Sequence, residues 1–228
     1  MKCLVTGGAG FIGSHIVERL LGDGSEVVCI DNESAISNDS FHWYAAANNH
    51  KVDIRDYDKI RPLFDGVDCV FHLAALSRIQ IAMKNSDECL DVNYIGTNNL
   101  LKCAAEAGVK RFVNSSTSSS YGLANTPPLK EDMPTDCLNP YSASKVAAEI
   151  LCQMYSKLHG LSTVTLRYFN VYGPRQPLKG QYAPVIGLFE EQKKAKTPCT
   201  IVGDGEQRRD FTHVSDVVEA NMCAMQTN

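Results

Sequence analysis

The chain has 228 residues, is 44% hydrophobic and 21% charged, and carries a formal net charge of -4. It is long enough for one α/β domain with a full core and a small appended part, and its acidic balance argues against a nucleic-acid-binding surface and for small partners. No apolar stretch is long enough to span a bilayer and the start of the chain has no signal-peptide pattern, so the expected location is the cytoplasm.

A short apolar run over residues 2–6 leads directly into Gly7-Gly8-Ala9-Gly10-Phe11-Ile12-Gly13. Glycines three apart after a strand build a dinucleotide pyrophosphate site: Gly7 makes the tight turn, Gly10 lets backbone approach the phosphates, and Gly13 lets the following helix pack close. Phe11, Ile12, Ile16, Val17, Leu20 and Leu21 recur at helical spacing, and Gly22 and Gly24 close that helix. Its N-terminus faces the anion with unpaired N–H groups and the positive end of its dipole. A second apolar run, 26–31, ends in Asp31, where an acid hydrogen-bonds a ribose diol and repels a 2′-phosphate. The cofactor read from this order of strand, glycines, helix, strand and acid is NAD.

The polar stretch 32–49 lacks periodicity and reads as a long loop near the adenosine end; Trp43 and Tyr44 within it read as local packing. Further strands are expected at 69–75, 111–117, 162–168 and 200–202, and helices at 57–64, 87–107, 142–159, 184–194 and 215–225. Such alternation predicts a doubly wound, Rossmann-type parallel sheet with helices on both faces. Ligands of these sheets lie beyond the carboxyl ends of the strands, which draws attention to Asp53-Ile54, Leu73-Ala74-Ala75, Ser115-Ser116-Thr117 and Tyr168-Phe169-Asn170. His72, inside an apolar strand, reads as a satisfied core histidine. The nine cysteines form no C-x-x-C pair and read as reduced thiols, several of them inside strands, with neither a disulfide framework nor a metal site.

Tyr141 and Lys145 stand four apart at the start of a helix after Asn139-Pro140, which puts both on one helical face. An ammonium beside a phenol stabilises the phenolate, so Lys145 is expected to pull Tyr141 down from its ordinary pKa of about 10. Thr117, at a strand end, can then orient the same substrate hydroxyl.

Together, Thr6-Gly-Gly-Ala-Gly-Phe-Ile-Gly13, His72-Leu-Ala-Ala75, Ser115-Ser-Thr117 with Tyr121-Gly122, Tyr141-x-x-x-Lys145 and Arg167-Tyr-Phe-Asn-Val-Tyr-Gly-Pro-Arg175 resemble the extended short-chain dehydrogenase/reductase family. Within it the resemblance is to nucleotide-sugar epimerases of the UDP-glucose 4-epimerase type. It implies a pyrophosphate loop of Gly7, Gly10, Phe11, Ile12 and Gly13, ribose contacts from Asp31 and Asn32, and adenine contacts from Asp53 and Ile54. Leu73, Ala74, Ala75, Asn93, Ser115 and Tyr168 complete the cofactor lining, together with the catalytic pair. Thr117, Tyr141 and Lys145 match the catalytic group; Thr117, Asn170, Arg175 and Arg209 fall to the nucleotide-diphospho-sugar substrate.

The resemblance further implies a cofactor domain over 1–168, a partial substrate-binding region over 169–228 interleaved with its last elements, and a homodimer through helices 87–107 and 142–159. Family members continue well past Arg209-Asp-Phe-Thr-His213-Val-Ser-Asp216, so the chain is expected to be a shortened form. The expected activity is C4 epimerisation through a transient 4-keto sugar. Sister dehydratases carry an Asp-Glu pair after the catalytic Thr and related decarboxylases a Glu; here stand Ser118 and Ser119, whose neutral hydroxyls serve poorly as general base and acid. A sister dehydratase or reductase, or a non-catalytic nucleotide-binding protein on the same fold, is the alternative reading.

Overall fold

The computed structural model of the chain describes residues 1–35, 38, 40–178 and 185–227. Strands β1 (Lys2–Thr6), β2 (Glu26–Asp31), β3 (Asn48–Lys51), β4 (Cys69–His72), β5 (Arg111–Thr117) and β6 (Ser162–Tyr168) form one parallel sheet in the order β3-β2-β1-β4-β5-β6. The order reverses at β1, which opens a crevice above β1 and β4 for a ligand.

The helices are α1 (Phe11–Gly22), α2 (Tyr57–Ile60, continued by a 3-10 turn, Arg61–Phe64), α3 (Ile79–Lys84), α4 (Ser86–Leu90), α5 (Thr97–Glu106) and α6 (Pro140–His159). Two-residue strands β7 (Val171–Tyr172) and β8 (Thr212–His213) pair apart from the main sheet, flanking α7 (Val185–Lys194); α8 (Val214–Gln226) returns to the sheet. Among the described residues no helix is long and apolar enough to cross a membrane.

Alternation along the strands splits the core between the two faces of the sheet. Leu4, Val28, Val70 and Phe112 point to the side covered by Leu100, Leu101 and Leu151, while Val5, Val27, Phe71 and Val113 point to Ile16, Val17, Leu20 and Met222. Each such side chain, fully removed from water, contributes about 1.5–3 kcal/mol. Trp43 and Tyr44 pack against the second cluster. His72 is wholly buried between the Thr6 and Thr97 hydroxyls, each 2.8 Å from a ring nitrogen, and burial holds its pKa well below the ordinary value.

Four expectations need correction. The segment 32–49 contains the start of β3, a largely exposed edge strand of Asn-Asn-His-Lys; it has no apolar alternation because its place in the sheet comes from backbone pairing with β2. Residues 36, 37 and 39 of the expected loop, and Pro184 at the start of the expected helix 184–194, lie outside the described residues. The expected strand 200–202 is irregular, with Ile201 and Val202 exposed, since β-branched residues make a strand only where a neighbouring strand receives them. The expected strand 69–75 ends at His72, and Leu73 to Ala75 turn away as a wall of the crevice. Finally, the single helix expected at 87–107 is α4, a π-helical turn (Asp91–Gly96) and α5 in succession. A π turn rotates side chains out of the regular register, and here it directs Asn93 inward.

Candidate active site

A cleft of about 390 Å³ runs along the carboxyl ends of the strands, from the β1–α1 turn to Thr117 and Tyr141. At its floor, Gly7 has φ +66°, and a Cβ there would meet the Ala74 backbone nitrogen at 2.8 Å. A Cβ on Gly10 would sit 3.2 Å from the Gly7 carbonyl oxygen. The bare backbone therefore forms a cradle. The first helical hydrogen bond of α1 runs from Ser14 N–H to Gly10 at 3.0 Å, so the N–H groups of Phe11, Ile12 and Gly13 precede the ladder and stay free for an anion.

Asp31, at the tip of β2, accepts from the backbone N–H of Ala9 at 3.2 Å and of Glu33 at 2.8 Å. Burial raises its pKa, and these N–H groups oppose that rise. Next to it, Asn32 donates to Asp53 at 2.9 Å; Arg55 grips the same carboxylate through Nε at 2.9 Å and Nη2 at 2.7 Å and holds its pKa down at about 2. Ile54 lies beside this group, and Gly96 is bare because a Cβ there would come 2.5 Å from Ile54 Cδ1.

The end of the cleft away from the glycine cradle is set by α6 and β5. Asn139 caps α6 by accepting from Ser142 N–H at 2.9 Å, with Pro140 in the first turn, so Tyr141 and Lys145 emerge one above the other over the cleft. Thr117 ends β5 and its Oγ1 accepts from Ser119 N–H at 3.1 Å; this leaves its proton for the Tyr141 oxygen, with which it is hydrogen-bonded. Lys145 is 3% exposed and engages no hydrogen-bond partner among the described residues; burial lowers its pKa to about 8. Burial raises Tyr141, against the Thr117 hydrogen bond and the positive charge of Arg78. The expected downward pull of Lys145 on the phenol is thus not what acts here: burial dominates, and the opposing charge is Arg78.

Behind the wall, Glu149 receives Arg167 through Nε at 3.0 Å and Nη2 at 2.8 Å and the Ser116 hydroxyl, which ties α6 to β5 and β6. Ser115 donates to the Tyr168 hydroxyl at 3.0 Å, and Asn221 of α8 meets the same oxygen at 2.7 Å.

Of the residues expected at the site, the cleft wall includes Gly7, Gly10, Phe11, Ile12, Gly13, Asp31, Asn32, Asp53, Ile54, Leu73, Ala74, Ala75, Ser115, Thr117, Tyr141, Lys145, Tyr168 and Asn170. Asn93 stands behind it. Its amide accepts from Leu76 N–H at 2.8 Å and donates to Leu76 O at 3.1 Å and Ser144 Oγ at 2.9 Å, so it clamps the post-β4 loop to α6 and leaves no group for a ligand. Arg175 is turned to α1, where it pairs with Glu18, contacts Ser14 Oγ at 3.2 Å and lies 5.7 Å from the Tyr44 ring. Arg209 is exposed and bonded to the Arg208 carbonyl, away from the wall; Asn170 reaches its loop by donating to Asp210 O at 2.8 Å.

Sequence reasoning missed Ser77 and Arg78 on the loop after β4 and Ile79 at the start of α3, all of which line the cleft. The available signal was position: a cation three residues beyond Ala75, past the carboxyl end of a strand.

A doubly wound sheet, a glycine cradle before a helix and a Tyr-Lys pair beside a strand-end Thr define a dinucleotide-dependent enzyme class acting on hydroxyls. The chain belongs to the NAD dependent epimerase/dehydratase family, whose model matches residues 3–228. It is 38% identical over 224 residues to a putative UDP-glucose 4-epimerase of Methanocaldococcus jannaschii, covering 97% of this chain and 72% of that protein. It is 39% identical over 232 residues to a UDP-N-acetyl-alpha-D-glucosaminuronate decarboxylase of Bacillus cytotoxicus, covering 98% of this chain and 71% of that one. The solved UDP-glucose 4-epimerase of Thermotoga maritima, with UDP-glucose, superimposes with a TM-score of 0.94 at 35% identity, over 100% of this chain and 74% of that one.

Proposed function

We propose that the protein interconverts the C4 epimers of a nucleotide-diphospho-hexose, a UDP-hexose, with NAD held in the cleft. The observation that carries this reading is the convergence of Tyr141, Lys145 and Thr117 on one end of the cleft whose other end is the glycine cradle and Asp31. The residues fit the cofactor: the cradle and the free N–H groups of Phe11, Ile12 and Gly13 suit a pyrophosphate, Asp31 a ribose diol, and the unpartnered Lys145 a ribose hydroxyl. When bound, NAD supplies a hydride acceptor and donor for the sugar C4.

The chain's own contribution is proton management and orientation. As a phenolate, which the positive charges of Arg78 and of a bound oxidised nicotinamide would favour against burial, Tyr141 takes the proton of the C4 hydroxyl and returns it after the 4-keto sugar has turned over; Thr117, already aimed at the phenol oxygen, holds that hydroxyl in line. Asn170 and the 169–228 region serve the substrate end, with the Arg209 loop reached through Asp210. Ser118 and Ser119 line the reacting end, where an elimination or a decarboxylation would call for a general base or acid. This favours epimerisation over the sister reactions.

A homodimer is proposed on the exposed stripe Ile150, Met154 and Leu158 of α6, four residues apart, beside Leu90 and Tyr94 on the helix it packs against. The other face of α6 enters the core through Leu151, Cys152 and Tyr155. A cytoplasmic location suits the nine cysteines, all of them free. The test is product chromatography of UDP-glucose and UDP-N-acetylglucosamine incubated with the purified protein: the matching galacto sugar appears without net reduction of NAD. Absence of an isomer from every UDP sugar tried would end this reading.

A further inference from the structure

Among the described residues, Arg78 is a cation without a counter-ion. It lies on the loop between β4 and α3, lines the cleft, and its Nε is buried with no hydrogen-bond partner. No acid pairs with it among the described residues, and the one ionisable group whose field it feels is Tyr141. A guanidinium remains protonated at any working pH, so leaving it half-buried and unpaired costs stability that a ligand anion would recover.

The distribution of charge along the cleft narrows what that anion is. The wall holds two acids, Asp31 and Asp53, at the β2–β3 end, and Asp53 is already gripped by Arg55. It holds two cations, Arg78 and Lys145, at the β4–β5 end, where the remaining polar groups are hydroxyls such as Ser118 and Ser119. The reacting end is therefore positive, and its protein groups offer only the phenol as an anion. The chemistry fixes the position of the ligand group. Tyr141 addresses C4; in a hexopyranose the diphosphate hangs from C1, across the ring from C4, whereas C6 is attached to C5, next to C4. A cation beside Tyr141 meets the C6 side of the sugar, and a planar guanidinium with a free Nε–H is matched there by a carboxylate taken in two parallel hydrogen bonds.

We propose that Arg78 binds a C6 carboxylate, so that the preferred substrate is a nucleotide-diphospho-uronic acid. The proposal rests on the epimerase reading above and narrows its substrate class.

The experiment compares kcat/KM for UDP-glucuronate and UDP-glucose, followed by product chromatography, in the wild-type protein and in Arg78→Met and Arg78→Lys. The expected wild-type ratio favours the uronate by about tenfold or more, falls about 100-fold in Arg78→Met, and is partly restored in Arg78→Lys, since lysine keeps the charge and loses the fork. Both substrates carry the same diphosphate, so equal losses in Arg78→Met would place the arginine on the diphosphate or the phenol and overturn the proposal. A wild-type preference for UDP-glucose overturns it while the epimerase reading stands; no turnover of either sugar overturns it as well, and the epimerase reading falls with it only if UDP-N-acetylglucosamine also stays unchanged. Should Arg78→Met fail to fold, the Arg78→Lys ratio decides: unchanged from wild type, it too overturns the proposal.

Discussion

Gly13 and Gly7 face each other across the first turn of α1 so closely that a Cβ on Gly13 would lie 2.1 Å from the Gly7 carbonyl oxygen. No side chain fits that gap, and the obstacle is backbone. Gly13→Ala must push α1 off β1, and we expect a loss of roughly 1–3 kcal/mol or more together with loss of cofactor binding, read from thermal melts with and without NAD.

Tyr141→Phe keeps the ring and removes the hydroxyl proposed to move the proton. Activity should fall by about 10²–10⁴-fold while NAD binding persists, seen by comparing turnover with cofactor retention on the purified protein. A full-rate Tyr141→Phe variant would mean that another residue carries the proton.

Lys145 trades stability for function. Its pKa is about 8 in the folded chain against 10.5 for the ordinary group, so the unfolded chain holds the proton more tightly and burying the ammonium costs stability below about pH 8. That cost fades as pH rises from about 8 to 10.5. In cofactor-stripped protein Lys145→Met should therefore raise Tm by roughly a few degrees at pH 7, lose that advantage near pH 10.5, and abolish turnover.

Asp31 is the residue expected to set the choice between NAD and its 2′-phosphorylated form. Asp31→Ser removes the carboxylate that would repel a 2′-phosphate, and should weaken NAD by about tenfold while bringing NADP binding closer to it. Titration of both cofactors against the same protein measures the ratio; an unchanged ratio would show that the ribose lies elsewhere.

Glu149 and Arg167 form a buried pair behind Thr117, with side chains 10% and 18% exposed. Glu149→Gln leaves the guanidinium uncompensated against the Tyr121 ring, 4.8 Å away, at a cost of about 3–5 kcal/mol in thermal or urea unfolding. Replacing both partners, Glu149→Leu with Arg167→Met, should recover part of the loss, because the penalty lies in the orphaned charge.

The glycine spacing, Asp31 and the Tyr141-Lys145 interval were legible in the sequence because each is a local requirement: a turn, a strand tip, one face of one helix. Strands β1, β2, β4 and β5 were legible for the same reason, being apolar runs that a parallel sheet buries on both faces, and the half-buried β6 showed itself by the alternation of Val164, Leu166 and Tyr168. The tertiary structure decided what depends on distant partners. Edge pairing made a strand of the polar Asn48–Lys51, while among the described residues no strand pairs with the apolar 200–202, which stays irregular. Packing turned Asn93 into a clamp between Leu76 and Ser144, gave Arg175 to Glu18, and set Arg78 unpaired beside the phenol. A side chain's type and spacing follow from the chain itself; whether its charge meets a partner, a wall or a ligand follows from which loops the sheet order brings together.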